Sequence, residues 1–264
     1  MKYSYTELAG MIDHSLLHPT MTDKEIEDGC RLALQYGVAS VCLKPYSVKR
    51  AVEILRGSKV LVGSVIGFPH GNSTTEVKRY ETELACRDGA VEIDMVINVG
   101  KALGGAWDYV ENEVRVVCDE AHQRGAKVKV ILENDYLTGG GAGLNSADLK
   151  TKLCQICERA GADWVKTSTG YGFVKQKDGG YNYQGATEPD LRLMRNACSP
   201  KVQVKAAGGV RDLDGLIKVR DLGASRCGAS ATAAMLEDCR RREAAEKAGA
   251  VVSTGESKIG GGGY

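Results

Sequence analysis

Residues 109–133 read YVENEVRVVCDEAHQRGAKVKVILE, and three signals follow one another in that stretch. Val110, Val114, Val117, Cys118 and Ala121 recur at the three-and-four spacing of one helix face, which predicts a helix over 109–124. Gly125 then stands where a helix stops, the position that favours a residue free to turn left-handed. Lys127–Glu133 is a β-branched run and predicts a strand. A similar run, Val91–Ile97, precedes the helix, so residues 91–133 read as strand, helix, strand.

Outward from this unit the same pattern repeats. Runs at Met11–Asp13, Ala39–Leu43, Val60–Gly67, Asp163–Thr167, Val202–Ala206 and Ser225–Gly228 bring the expected strands to eight. Stepping through Asp13, Cys42, Gly67, Asp94, Glu133, Lys166, Lys205 and Gly228, the mean interval is about 31 residues. A βα unit takes roughly 30. Helical spacing fills the intervals, with Ile26, Cys30, Ala33 and Leu34 in 25–36 and Val77, Tyr80, Leu84 and Ala85 in 73–88. Thr22 and Glu25 have the spacing of a capping box, and Gly37, Gly89 and Gly161 mark further helix ends. Eight alternating units imply an α/β fold, a single (β/α)8 TIM barrel with a short N-terminal extension. An open doubly wound sheet is disfavoured, because no Gly-x-Gly-x-x-Gly follows the first strand and no linker divides the chain. Residues 1–252 are expected to form the barrel, and 253–264, ending Gly-Gly-Gly-Gly-Tyr, a flexible tail.

Thirty-five Lys and Arg against 34 Asp and Glu leave a net charge of +1 across 264 residues. Such a chain has no general attraction for nucleic acid or an anionic membrane. No apolar run approaches the ~20 residues of a membrane span. Met1–Tyr5 lacks the basic-then-apolar layout of an export signal, so a cytoplasmic protein is expected. Nine cysteines in that compartment read as reduced thiols. Cys154 and Cys157 form a lone Cys-x-x-Cys inside a helical pattern, and small apolar helix residues account for them. Four scattered histidines, His14, His18, His70 and His122, do not supply a metal site, and no metal or other cofactor is expected.

The chemistry is expected at the C-terminal ends of the strands. Asp13, Asp94, Lys166 and Lys205 fall at or near the ends of apolar runs, and Lys129 lies within another. A lysine in a buried strand is costly unless paired. One such lysine reads as a salt bridge; three lysines and two aspartates at one mouth point to Schiff-base chemistry, in which a neutral amine attacks a carbonyl. An ordinary lysine is neutral in only about one molecule in 2,500 at pH 7. Burial and a second cation, here Lys205 beside Lys166, are the physical means of raising that fraction. Glycine-rich turns at Thr169–Gly172, Ala207–Gly209 and Gly228–Ser230 favour an anionic substrate tail held by backbone N–H groups. Cys42, ending the second strand, is a candidate to face the cavity and meet electrophilic aldehydes.

These residues resemble the deoxyribose-phosphate aldolase family of Schiff-base barrel aldolases. The matching segments are Ile12-Asp13-His-Ser-Leu-Leu, Phe68-Pro-His-Gly-Asn, Glu92-Ile-Asp94-Met-Val, Lys166-Thr-Ser-Thr-Gly170 and Lys205-Ala-Ala-Gly-Gly-Val-Arg211. Gly228-Ala-Ser230 and the terminal Tyr264 extend the match to the end of the chain. The resemblance implies reversible cleavage of 2-deoxy-D-ribose 5-phosphate to D-glyceraldehyde 3-phosphate and acetaldehyde. It assigns the imine to Lys166 and proton transfer to Asp94 with Lys205. Asp13 would hold a substrate hydroxyl, and Gly170, Gly208, Gly209, Gly228 and Ser230 would hold substrate and phosphate. Tyr264 would assist proton exchange at C2, and a tail of twelve flexible residues reaches about 19 Å. Tyr171 stands where some members carry a phosphate-facing Lys, and Ala231 where a second Ser is common. Similar proteins are often homodimers. Another lysine-dependent sugar-phosphate aldolase, or a non-catalytic barrel that binds sugar phosphate, remains the alternative.

Overall fold

A computed structural model describes residues 1–249 and 259–260. Its core is a closed, all-parallel barrel of eight strands: β1 (Ile12–Leu16), β2 (Ser40–Leu43), β3 (Leu61–Ile66), β4 (Glu92–Val96), β5 (Lys127–Ile131), β6 (Trp164–Lys166), β9 (Gln203–Ala207) and β10 (Ala224–Ala229). Each strand pairs with its neighbours in the chain-ordered circuit, and β10 closes on β1 through Ile12, Asp13 and His14. All eight expected strands are present, with ends displaced by a few residues.

The helices cover the outside. They are α1 (Tyr5–Ala9), α2 (Asp23–Tyr36), α3 (Val48–Leu55), α4 (Thr75–Arg87), α5 (Val99–Leu103), α6 (Trp107–Gln123), α7 (Ser146–Arg159), α8 (Glu188–Ala197), α9 (Leu213–Asp221) and α10 (Thr232–Lys247). Thr22 and Glu25 close the capping box at the start of α2. On α6, Val110, Val114, Val117, Cys118 and Ala121 are the buried stripe that the spacing predicts. Cys154 and Cys157 are buried in α7, and all nine cysteines are thiols. Among the described residues no helix is long and apolar enough to cross a membrane.

Two features depart from the sequence reading. β1 runs on past Asp13 to Leu16, and Asp94 lies in the middle of β4. The acidic side chains therefore sit inside the barrel and not at its rim; His14 and Ser15, polar by type, hide the continuation of β1. The second is a hairpin between β6 and α8, β7 (Val174–Lys175) paired antiparallel with β8 (Tyr181–Asn182) around the turn Asp178-Gly179-Gly180. Of the expected tail, residues 253–258 and 261–264, Tyr264 among them, lie outside the described residues.

Candidate active site

Alternate side chains of each strand point into a barrel. Branched aliphatic residues usually fill that space. Here one interior region is ionic, with Asp13 from β1, Glu92 and Asp94 from β4, Lys129 from β5, Lys166 from β6, Lys205 from β9 and Arg226 from β10. The register sets Asp94 opposite Lys129 and Lys166 opposite Lys205. Asp94 Oδ2 accepts from Lys166 Nζ and Lys205 Nζ, each at 2.7 Å. Lys205 also reaches Asp13 Oδ2 at 2.5 Å. Lys129 Nζ lies 3.0 Å from Asp13, 2.5 Å from Glu92 and 3.2 Å from Asp94. Arg226 bridges Asp13 at 2.5 Å and Glu92 at 2.7 Å, and Ser40 donates to Asp13 at 2.8 Å.

Counting charges in this cluster singles out one residue. Lys129, Lys205 and Arg226 face Asp13, Glu92 and Asp94, three against three, so within this cluster a proton on Lys166 is a fourth positive charge, and Glu133 is the further buried carboxylate that it faces. Burial lowers the Lys166 amine below the ordinary lysine range; Asp94 opposes this, and Lys205 adds to it. Burial acts on Lys205 in the same direction, but Asp13 and Asp94 outweigh it and hold that amine well above the ordinary range. Lys129 is likewise raised against burial by Asp13 and Asp94. Burial would raise the Asp94 carboxyl, yet Lys129, Lys166 and Lys205 together keep it well below the usual carboxylate range. The site thus contains one amine biased toward its nucleophilic form amid groups held charged.

Above the cluster opens a cavity of about 280 Å³. Lys166, Lys205 and Asp13 reach it from below, and Gly208, Gly209, Gly228 and Ser230 line its β9–β10 side. Gly208 and Gly209 have φ of +86° and +79°, a backbone that excludes most side chains. A Cβ at Gly208 would meet Gly185 Cα at 2.9 Å, and one at Gly209 would meet Gly260 Cα at 2.7 Å. Thr167 ties this turn to β6, its hydroxyl donating to the Ala207 carbonyl and accepting from the Ala207 N–H, both at 3.0 Å. Helix α10 begins just beyond Ser230, with no described side chain capping its first N–H groups. Such a helix start attracts anions.

Gly170 is not brought to the cavity wall. Its neighbour Tyr171 packs edge-to-face on Phe68, centroids 5.5 Å apart, beside the apolar group Leu17, Cys42 and Val65. Cys42 does line the cavity, but burial pushes its thiol up to about 11, which keeps it protonated and slows attack on aldehydes. Ala231 lines the cavity where a hydroxyl was expected to be missing. Glu92 and Arg226 escaped the sequence reading, although each lies two residues from a named strand position and so on the same face. Tyr183, brought to the cavity by the β7–β8 hairpin, had no sequence signal. Among the described residues no group of His, Cys, Asp and Glu is gathered to hold a metal ion.

A family model of DeoC/LacD aldolases matches residues 8–252. The deoxyribose-phosphate aldolase of Rhodopirellula baltica is 49% identical over 240 residues, covering 91% of this chain and 92% of that one. That of Thermococcus gammatolerans is 44% identical, covering 90% and 98%. Among solved structures, the tetrameric deoxyribose phosphate aldolase of Aeropyrum pernix superposes with a TM-score of 0.76 at 32% identity, over 90% of this chain and 92% of that one. The chain belongs to the DeoC/LacD aldolase family.

Proposed function

We propose that this DeoC/LacD family member cleaves 2-deoxy-D-ribose 5-phosphate reversibly to D-glyceraldehyde 3-phosphate and acetaldehyde, through an imine on Lys166. The observation that carries the reading is the buried Lys166 amine beside Lys205 and Asp94, lowered from the ordinary lysine range by burial and by the Lys205 charge. The neutral amine adds to C1 of the open-chain sugar, and water leaves as the protonated imine forms. The C3 hydroxyl gives up its proton, the C2–C3 bond breaks, and its electron pair moves into the imine to give a neutral enamine. Protonation at C2 and hydrolysis release acetaldehyde and restore the amine. The iminium carries a positive charge into the cluster, and bond cleavage removes it as the neutral enamine forms.

In this reading Asp94, through a water and with Lys205, moves the protons of imine formation and receives the one from the C3 hydroxyl. Asp13 meets a substrate hydroxyl from the cavity floor while serving as counter-ion to Lys129, Lys205 and Arg226. Gly208, Gly209, Gly228, Ser230 and the start of α10 take the phosphate, and Gly170 supports the substrate through its turn. Tyr264 exchanges protons at C2. Gly260, which lies against Gly209, is four residues before it, a span of up to about 14 Å. A cytoplasmic setting and self-association, as a homodimer or as the tetramer of the Aeropyrum pernix protein, belong to the same reading.

The test is borohydride reduction in the presence of deoxyribose 5-phosphate, followed by peptide mapping, with Lys166→Leu as control. A reduced adduct confined to Lys166 is expected. A folded protein that binds the sugar phosphate without forming an adduct would overturn the aldolase reading. Cleavage of another sugar phosphate in its place would overturn the substrate.

A further inference from the structure

Glu133, two residues beyond β5, takes no part in the chemistry above, yet its surroundings are unusual. It holds a left-handed backbone conformation, φ 56° and ψ 63°, uncommon for a residue with a side chain. Its side chain is buried. The carboxylate faces Thr169 with both oxygens, which accept from the Thr169 N–H at 3.2 and 3.3 Å. The Thr169 hydroxyl donates to the same carboxylate and accepts from the Tyr171 N–H at 2.9 Å. Gly172 completes the enclosure: a Cβ there would lie 2.6 Å from Glu133 Cδ. The turn from Thr169 to Gly172, three residues past the reactive lysine, is therefore folded around one buried carboxylate. Thr169 itself lines the catalytic cavity.

We propose that Glu133 is a positioning residue for the aldolase reaction, fixing Thr169, the residue of its turn that lines the cavity, and so setting how tightly the sugar phosphate is held. The inference rests on the aldolase reading of the site. A carboxylate is suited to this place because the turn presents two donors, an N–H and an O–H, and an ionised carboxyl accepts both. Once protonated, one of its oxygens becomes a donor, and the clamp on Thr169 loses an acceptor. Burial raises the Glu133 carboxyl to about 7 against the pull of the Thr169 hydrogen bonds. The charged and titratable groups facing it are Lys166 from β6 and Asp135 and Tyr136 from the turn after β5; Lys166 favours its ionised form and Asp135 opposes it. The clamp accordingly weakens as pH falls through neutrality.

Steady-state kinetics with deoxyribose 5-phosphate across neutral pH test this, on the wild type, Glu133→Gln, Thr169→Val and the double variant. Glu133→Gln should raise KM about tenfold, the loss of one charge-assisted hydrogen bond, with kcat within about twofold. The rise in KM on the acid side of neutrality should vanish in that variant. Thr169→Val breaks the same bond from the other side, so the double variant should be no worse than the poorer single one. In protein labelled with 13C at the glutamate carboxyl, one resonance should titrate near neutrality and be missing from Glu133→Gln. A folded Glu133→Gln or Thr169→Val with wild-type KM and an unchanged pH profile would overturn the proposal, as would additive losses in the double variant. Failure of the wild type to form the Lys166 adduct would instead overturn the aldolase reading.

Discussion

Replacing Lys205 by Leu tests the charge count directly. Lys166 Nζ and Lys205 Nζ each lie 2.7 Å from Asp94 Oδ2, so they are no farther apart than twice that, 5.4 Å. At an effective dielectric of about 20, two like charges at that distance repel by about 3 kcal/mol, or roughly 2 pKa units. Both amines are buried, so solvent screening does not reduce the figure. With Lys205 gone, two cations face three carboxylates, and a proton on Lys166 restores the balance. The folded value of Lys166 must rise, and the nucleophilic fraction at a given pH must fall. The rate of borohydride trapping with deoxyribose 5-phosphate, measured in single turnover against pH, should show its acid limb displaced upward by about 2 pH units. Beyond a pH-independent loss from the missing proton-transfer partner, trapping near neutrality should be about a hundredfold slower than at the high-pH plateau of the variant, and it should recover to that plateau as the pH is raised. A folded variant whose acid limb stays in place, or whose loss is the same at every pH, would refute the reasoning.

The same count predicts stabilities. Lys166→Leu leaves three cations against three carboxylates and should change the unfolding free energy in urea by no more than about 1 kcal/mol, whereas Lys166→Leu with Lys205→Leu strands a carboxylate and should cost about 3–5 kcal/mol. A double variant no less stable than the sum of the singles would contradict this. Gly208→Ala forces a side chain onto φ +86° and against Gly185; KM for deoxyribose 5-phosphate should rise roughly tenfold, while cleavage of unphosphorylated deoxyribose changes little. Prolonged dialysis against a chelator should leave activity intact, because the iminium is the electron sink; loss restored by a divalent metal would count against the mechanism.

The barrel was legible because its periodicities are local: a helix stripe, a glycine stop and a β-branched run each register within a dozen residues. The site was legible in part for the opposite reason. Lys166, Lys205 and Lys129 stand out because each is a cation in an otherwise apolar strand. Glu92 begins a strand and Arg226 lies in Ala-Ser-Arg-Cys-Gly, where a charged residue reads as an end or a turn. The two-residue spacing from Asp94 and Gly228 puts them on the inward face, and their ion pairs with each other, Lys129 and Asp13 show both inside the barrel. Glu133 was visible only as the end of a run. Its left-handed backbone and its grip on Thr169, 36 positions later, are properties of the closed barrel.

Seven ionisable side chains inside one barrel demand a physical account, since each buried ion forfeits several kcal/mol of hydration. Pairing alone is a poor remedy: an isolated buried pair often does no better than an apolar substitute. The barrel supplies more than pairs. Because its strands are parallel and closed, inward residues from β1, β4, β5, β6, β9 and β10 meet, and single groups serve several partners. Lys129 reaches three carboxylates, Asp13 reaches three cations, and Asp94 also reaches three. Such sharing fixes the geometry of every member, and it also fixes the total charge that the interior tolerates. Of the four cations Lys166 has the poorest pairing, one carboxylate shared with Lys205, and it is the one whose amine is lowered from the ordinary range. The network that fixes these side chains is thus the same one that biases a single amine toward its neutral form.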